Sequence, residues 1–339
     1  MLSWKGVAGL RSYYIFKAGK ISRKENTVFL EYTDKETGKP QKRVIPIHDI
    51  EQIYFFKDVS LNTKFMEFVS KRGILLHFYN YYGKYVGSFY PKGKNEDGKA
   101  LVKQVEHYLA IRKRLYIAKE IVMGALYNIK RFLAKKSNNP FIESTIETSI
   151  KQVEKSDSIN EIMGYEASAR KAYYSAWNGI IKWNFPARKM HPPADEVNAL
   201  ISFGNSLLYT KLLHNILSSP LNPSVSYLHE TYDKNRFPLS YDISEVFKPI
   251  IVDRIIFKLI NKDMLKKEQH FIKEGDGTYL NDEGRKIFIK EFEDTLSSTI
   301  IYKGKERKIS YSTLLRYEVS KLYQHIMDKA RYTALRAWW

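Results

Sequence analysis

The chain has 339 residues, of which 44% are hydrophobic, so it is long enough to bury one large core or two ordinary ones and is not a disordered chain. Its 56 Lys and Arg against 37 Asp and Glu give a formal charge of +19, which favours polyanionic partners, nucleic acid ahead of a membrane surface. The absence of cysteine excludes disulfides, a cysteine nucleophile and thiolate metal sites, so that any metal must use oxygen and nitrogen ligands.

Residues 1–91 are predicted to form a small β-rich domain. The first residues lack the charged and apolar regions of a signal peptide. β-Branched and aromatic runs follow on both sides of the turn sequence KETGKP, one helix is predicted at Asn62–Lys71, and two short strands are predicted around Gly83. Pro, Gly and charged residues then concentrate in residues 91–100, and we interpret residues 92–100 as a linker.

Residues 101–339 are predicted to form a larger all-α domain, so the fold class is α+β. Amphipathic helix patterns occur at Val102–Lys135, Asn160–Trp183, Asp195–Leu217, Asp242–Asn261 and Ser310–Arg336, with a hairpin or loop at residues 275–284. No apolar run approaches the roughly 18 residues of a membrane span. We therefore expect a cytoplasmic protein with no membrane partner.

Glu166 occupies an unusual place for a carboxylate. At 100° per residue it is centred on an apolar stripe that includes Ile162, Tyr173 and Trp177. An ionised carboxylate there is costly unless it is paired or coordinates a cation. The structural alternative is an ion pair with Arg170, four residues further along the same helix.

Asp242 and Glu245 raise the same question. Their spacing fits a capping box at the start of a helix, in which each side chain accepts from N–H groups of the first turn. The helix plot nevertheless directs Asp242 toward apolar packing, with Glu245 about 60° away. Asp253 shares that face but lies about 16 Å further along the axis, which favours a structural partner such as a neighbouring Arg or Lys.

His229, shortly before Asp242, supplies a nitrogen donor to this set. Two inward carboxylates and an imidazole suit Mg²⁺ or Mn²⁺ better than a structural zinc cage. A histidine alone is more often an ordinary core or surface residue. It is therefore the combination of Glu166, His229 and Asp242 that indicates a site.

Four segments resemble the CRISPR-associated adaptation integrase family, whose members insert new spacers into the repeat array. They are GYEASARKAYYSAW with Glu166, RKMHPPADEVNALISFGNSLLY from Arg188, HETYDKNRFPLSYDISEVFKPIIVDR from His229, and YLNDEGRKIF from Tyr279. The resemblance covers nearly the whole chain in order and spacing. It implies an N-terminal β-domain used in dimerisation and a helical domain with a divalent-metal site.

Carried over residue by residue, the resemblance makes Glu166, His229 and Asp242 the catalytic metal ligands. Glu245 matches a second acidic position, and Asn198 lies in a family segment whose helix has a structural or catalytic role. Basic residues within the same segments are assigned to DNA binding: Arg170, Arg188 and Lys248.

The implied reaction is attack of a 3′-hydroxyl on a repeat phosphodiester, or hydrolysis when water is the nucleophile, with Mg²⁺ or Mn²⁺ as the Lewis acid. The implied partners are double-stranded and branched DNA, a second copy of the chain, and a small companion adaptation protein. Two other functions remain open: a structure-selective metal-dependent nuclease without an integration role, and a non-catalytic nucleic-acid-binding scaffold. In the scaffold, Glu166 would pair with Arg170 and Asp242 would cap its helix.

Overall fold

The computed structural model describes residues 1–5, 11–25, 27–34, 36–46, 48, 50–91, 97–136, 139–190, 192–229, 237–301 and 307–339, without the side chains of residues 4 and 5. The chain divides into two compact units, Met1–Lys94 and Asn95–Trp339. Strands dominate the first unit and helices the second, which confirms the predicted α+β class and the order of its two parts.

The first unit contains two sheets and one helix. Its elements are β1 (Leu2–Lys5), β2 (Arg11–Ile15), β3 (Gly19–Lys24), β4 (Thr27–Thr33), β5 (Pro40–Ile45), β6 (Ile50–Phe55), β7 (Val59–Leu61), α1 (Thr63–Arg72), β8 (Leu75–Tyr79) and β9 (Tyr85–Phe89). One sheet has the order β1-β2-β6-β8-β9, with parallel pairing of β6 to both β2 and β8, and the other has the order β5-β4-β3-β7.

An apolar core joins elements of both sheets and α1 in the first unit. It joins Ile15 and Ile53 of the first sheet, Ile21 and Leu30 of the second, and Phe65 of α1. The helix α1 begins where the Asn62 side chain accepts from the Phe65 N–H at 2.9 Å. It ends at Gly73, whose φ of 70° is the left-handed conformation that favours glycine. The helix predicted at Asn62–Lys71 is therefore confirmed.

The second unit is mainly helical. Its elements are α2 (Gly98–Leu109), α3 (Ile111–Leu133), α4 (Pro140–Lys155), α5 (Ile159–Ser175), α6 (Glu196–Leu217), α7 (Pro238–Phe247), α8 (Arg254–Asn261), α9 (Lys267–His270), β10 (Phe271–Glu274), β11 (Gly277–Leu280), α10 (Asp282–Ser297), β12 (Thr299–Ile301), β13 (Lys308–Ser310) and α11 (Tyr311–Ile326). A 3₁₀ turn, Ala176–Gly179, follows α5, and a π-helical segment, Pro249–Asp253, connects α7 to α8.

Several predicted boundaries differ from the structure. The helix predicted at Val102–Lys135 is two helices, because Ala110 adopts an extended conformation with ψ of 95°. The helix predicted at Ser310–Arg336 ends at Ile326, and Asp328, with φ of 57°, starts a non-helical segment. Part of the predicted linker, residues 92–96, lies outside the described residues. The rest of it opens α2, whose Lys99 N–H donates to the Asp97 side chain at 2.9 Å.

The helix α3 is the centre of the second unit and contacts α4, α5 and α7. Residues 330–339, called the C-terminal strap below, pack against it. Gly124 is needed for this contact, because a Cβ atom at that position would lie 2.7 Å from the Ala334 Cβ. Within the described residues, none of the helices has the length and apolar character to cross a membrane.

Candidate active site

Glu166 lies on α5 and is held by its own helix. The Ser158 hydroxyl starts α5 by accepting from the Glu161 N–H at 3.2 Å, and the buried residues Ile162 and Tyr173 fix the face that the helix presents. Arg170 Nε donates to Glu166 Oε1 at 2.8 Å. This is the i,i+4 pair that the sequence offered as the structural alternative. The Glu166 side chain remains 21% exposed, so its carboxylate is accessible from outside the core.

Asp242 does not cap its own helix, and the capping-box interpretation is wrong. The helix α7 starts at Pro238, and neither Phe237 at its boundary nor any acidic residue in its first turn caps it. A proline there lacks one of the N–H groups that a cap would satisfy. Asp242 lies one turn further on and is fully buried. The positive end of its own helix is therefore not what stabilises this carboxylate.

The partners of Asp242 come from the chain that precedes α7. Its Oδ2 accepts from the N–H groups of Tyr227 at 2.6 Å and Leu228 at 3.0 Å. Its Oδ1 accepts from the His229 N–H at 3.0 Å and from His229 Nδ1 at 2.7 Å. Four donors fill the acceptor sites of one carboxylate. Asp242 therefore fixes both the backbone of residues 227–229 and the orientation of the His229 ring.

The Asp242 contact favours the protonated form of His229. Burial would lower the pKa of His229, but the hydrogen bond and the negative charge of Asp242 outweigh burial and raise that pKa. The ring also packs edge-on against Tyr241, with 6.2 Å between ring centroids. With Nδ1 donating to Asp242, Nε2 is the remaining nitrogen for a ligand.

Glu245 links α5 to α7 through Arg170. Arg170 Nη2 donates to Glu245 Oε2, and Lys248 Nζ donates to Glu245 Oε1 at 2.5 Å. Burial would raise the pKa of Glu245, but the charges of Lys248 and Arg170 lower it to about 2. Arg170 therefore bridges Glu166 and Glu245, which are 79 residues apart, while its buried Nη1 makes no hydrogen bond in the described part of the chain.

Asp253 ends the π-helical segment behind this network. Its Oδ2 accepts from the Tyr173 hydroxyl at 2.9 Å, and among the described residues no Arg or Lys donates to it as the sequence had suggested. Burial raises the pKa of Asp253 to about 7, against the opposing charges of Arg170 and Lys248. Asp253 is therefore a buried acid next to the site and not one of its exposed donors.

Arg188 and Asn198 form a separate network. Asn198 Oδ1 accepts from Arg188 Nη1 and from the Lys189 N–H, both at 2.8 Å. Its amide nitrogen donates to the Ala187 carbonyl at 2.9 Å and to Asp195 Oδ2 at 2.7 Å. Asn198 thus fastens residues 187–189 to the start of α6. It makes no hydrogen bond to the site carboxylates within the described residues, and this position supports the structural alternative for Asn198.

The three cations assigned to DNA are all engaged inside the protein. Arg170 and Lys248 hold Glu245, and each side chain is only 12% exposed. Arg188 donates to Asn198 and, at 3.0 Å, to the Ser202 hydroxyl. A phosphate contact from any of them requires a present contact to be shared or exchanged, and DNA binding by these residues stays a prediction.

The donor chemistry fits a hard divalent cation. As the predicted ligands, Glu166 would offer a carboxylate oxygen, His229 its Nε2, and Asp242 a carboxylate that now contacts His229. In the described ranges, no three His, Cys, Asp or Glu side chains are arranged to hold a metal ion. The present arrangement is instead held by the positive charges of Arg170 and Lys248 and by the N–H groups of residues 227–229.

One buried residue that contacts α7 was not predicted from the sequence. Asn128 is fully buried on α3; its amide nitrogen donates to the carbonyls of Val246 at 2.8 Å and Leu335 at 3.1 Å, and its oxygen accepts from the Ala337 N–H at 2.7 Å. It thus connects α7 with the C-terminal strap. The available signal was the one applied to Glu166, a polar residue within an apolar stripe.

One protein family matches this chain over most of its length. The profile of the family described as CRISPR associated protein Cas1 matches residues 13–294. The chain belongs to the Cas1 family. Among Cas1 relatives, the CRISPR-associated endonuclease Cas1 2 of Moorella thermoacetica is 44% identical over 330 residues, which cover 97% of this chain and 100% of the relative.

Solved structures agree with the family assignment. A Cas1 protein from Thermotoga maritima superposes with a TM-score of 0.86 at 36% identity, covering 96% of this chain and 99% of that chain. A casposase bound to integration product superposes with a TM-score of 0.82 at 20% identity, covering 95% of this chain and 92% of that chain. The second comparison establishes the shared fold alone. Membership in the family confirms the resemblance found in the four sequence segments.

Proposed function

We propose that this Cas1 family protein is a divalent-metal-dependent DNA integrase and endonuclease that inserts new spacers into a CRISPR array. The observation that carries the proposal lies on α7. There Asp242 contacts His229, and Glu245, three residues further on, is bridged by Arg170 to Glu166 of α5. The name of the Moorella relative, an endonuclease, supports the reaction class.

Glu166, His229 and Asp242 are the residues that would hold Mg²⁺ or Mn²⁺, and Asp242 would have to release one of its four present donors to bind the ion. A bound divalent cation supplies Lewis-acid stabilisation of the charge that develops on a phosphate during attack by a 3′-hydroxyl or by water. Asp242 holds the His229 ring so that Nε2 is available, and Glu166 presents its carboxylate from the neighbouring helix. Glu245, paired with two cations, supports the site without itself facing a ligand.

DNA is the substrate that the composition favours. The excess charge of +19 supplies phosphate contacts that position a duplex or a branched intermediate without specifying its sequence. We assign Arg188 to the DNA contact among the site cations, because its present partners, Asn198 and Ser202, are neutral. Arg170 and Lys248 each form an ion pair with Glu245, so their charges are already engaged by its carboxylate.

The family resemblance also supplies the proposed partners. We propose that residues 1–91 carry the surface for a second copy of the chain, and that the dimer binds a small companion adaptation protein. The strand-rich first unit has its own apolar core, as a separate interaction domain requires.

The test of the function is strand transfer. Purified protein, with its companion protein and Mg²⁺ or Mn²⁺, is incubated with a labelled spacer duplex and a plasmid that carries a repeat. We expect covalent joining of label to plasmid, and at least a hundredfold loss for Glu166→Gln, because a neutral amide is a poor ligand for a hard cation. Glu147→Gln is the matched control, since Glu147 pairs with Lys130 on an exposed surface.

The non-catalytic DNA-binding scaffold is the second candidate function, because the Glu166–Arg170 ion pair that it requires is present. A scaffold binds DNA but neither joins nor nicks it, and chelation of metal leaves its behaviour unchanged. A nuclease without an integration role nicks the plasmid but leaves it unlabelled. The same gel therefore separates all three functions.

A further inference from the structure

Arg170 occupies a central place in the electrostatics of the site. Its guanidinium donates to Glu166 through Nε at 2.8 Å and to Glu245 through Nη2, so one positive charge lies between two carboxylates on different helices. Its side chain is only 12% exposed, and its charge is therefore poorly screened by water. No basic residue has a more direct influence on the charge of Glu166, since this is the only ion pair of Glu166 in the described residues.

A cation that binds Glu166 meets this guanidinium at close range. Repulsion between a divalent ion and a fixed positive charge a few ångströms away is strong in a site with little water. The Nε hydrogen bond must also be shared with, or lost to, the incoming ion, because both are made by the Glu166 carboxylate. Both effects weaken binding of the cation to the free protein.

We infer that Arg170 is a positioning residue that serves as the resident counter-ion of Glu166 and Glu245, competes with the divalent cation for Glu166, and makes cation binding depend on DNA. This inference rests on the proposed metal-dependent function. DNA brings phosphate charge that compensates both Arg170 and the ion, so the ion binds more tightly when DNA is present. The free protein thereby carries little of the cation that would cleave DNA indiscriminately.

The alternative role for Arg170 is purely structural. An arginine that only orients Glu166 would improve the ligand geometry, and its removal would weaken cation binding. The electrostatic role predicts the opposite sign. The two roles therefore differ in the direction of one measurable affinity.

The experiment measures Mn²⁺ affinity by titration followed by electron paramagnetic resonance, with and without a DNA duplex, on the full chain. We expect Arg170→Gln to bind Mn²⁺ roughly tenfold or more tightly without DNA, and to gain less than the unaltered protein when DNA is added. Arg170→Lys keeps the charge and should stay close to the unaltered protein. Lys290→Gln, which breaks an exposed i,i+4 pair with Asp294, is the matched control and should change neither affinity.

Glu245→Gln is a second variant, and its expected change in Mn²⁺ affinity is opposite to that of Arg170→Gln. It removes the charge that compensates Arg170 and should weaken Mn²⁺ binding, while the double variant Arg170→Gln with Glu245→Gln should return toward the unaltered affinity. If Arg170→Gln alone melts early, Glu245→Gln still tests the same charge balance from the other partner.

The outcomes separate the inference from the proposed function. If Mn²⁺ binds and Glu166→Gln abolishes that binding, but Arg170→Gln binds no tighter, the counter-ion role is overturned and the function stands. If Glu166→Gln leaves Mn²⁺ binding unchanged, the proposed metal site itself is overturned. Tighter binding by Arg170→Gln together with weaker binding by Glu245→Gln supports the inference.

Discussion

The two helices that supply the site obtain their contacts in different ways. On α5, Glu166 is held by Arg170, four residues away on the same helix. On α7, Asp242 is held by residues 227–229, and Glu245 by Arg170, 75 residues earlier in the chain. The first arrangement is visible in sequence spacing, whereas the second depends on the assembled fold. The comparison predicts that replacing Asp242 on α7 affects stability and chemistry together, whereas replacing Glu166 on α5 affects chemistry with little change in stability.

Replacing Asp242 should produce the largest loss of stability. Asp242→Ala leaves three buried N–H groups and the His229 ring without their acceptor, and we expect a loss of about 3 to 5 kcal/mol in the free energy of unfolding. Asp242→Asn turns one accepting oxygen into a donor that faces these N–H groups, with an expected loss of about 1 to 3 kcal/mol. Chemical denaturation measures both.

Asp263→Asn is the control for Asp242, because Asp263 lies in an exposed pair with Lys182 and should change stability by less than about 0.5 kcal/mol. A silent Asp242→Asn, which is what a helix cap predicts, would contradict the contacts described for Asp242.

Replacing Asp253 should change the stability less, and the change should depend on pH. Its pKa is raised to about 7 in the folded protein, from about 4 in the unfolded chain, so the folded state binds its proton more tightly. The stability contributed by this proton is fully present below about pH 4 and is lost as the pH rises toward 7. Asp253→Asn cannot titrate but can still accept from the Tyr173 hydroxyl.

We therefore expect the melting temperature of Asp253→Asn to fall less than that of the unaltered protein between pH 4 and 7, by a few degrees. Glu245 acts in the opposite direction. Its lowered pKa contributes stability above about pH 4 that is lost as the pH falls toward 2. Equal pH profiles for the unaltered protein and Asp253→Asn would show that Asp253 is ionised throughout.

Glu166→Gln should have the smallest effect on stability. Its ion pair is local and its side chain is 21% exposed, so we expect a loss below about 1 kcal/mol, measured by the same denaturation series. Strand transfer should nevertheless disappear. A large loss of stability here would remove the distinction between α5 and α7.

Sequence reasoning was most successful where contacts are local. The α+β order, α1 and the Glu166–Arg170 pair all follow from residues within one or two turns of each other. It failed where a distant partner decides the outcome. The spacing of Asp242 and Glu245 matches a capping box, but Pro238 moves the helix start four residues ahead of Asp242, and residues 227–229 take the carboxylate.

Two longer helices, α4 and α10, were also missed. They are preceded by Asn139 and Asn281, whose side chains accept from N–H groups of the first turn. These capping signals were present in the sequence, and Ile142, Ile146 and Val153 of α4 recur at helical spacing, so both signals were available. The break at Ala110 carries no glycine or proline, and only the tertiary fold explains it.

The contacts of Asn128 affect how readily residues 330–339 detach from the rest of the second unit. Terminal segments commonly open with little cost, independently of the core. Here the Leu335 N–H donates to Glu318 at 3.1 Å and the Ala337 N–H to Asn128, which also holds the Val246 carbonyl of α7. Releasing the C-terminal strap therefore takes the Ala337 N–H and the Leu335 carbonyl away from the buried Asn128 side chain, whose amide oxygen then lacks a donor. We therefore predict that the strap and α7 open as one cooperative unit, so that their amide hydrogens exchange with solvent at matching rates although they lie about ninety residues apart in the chain.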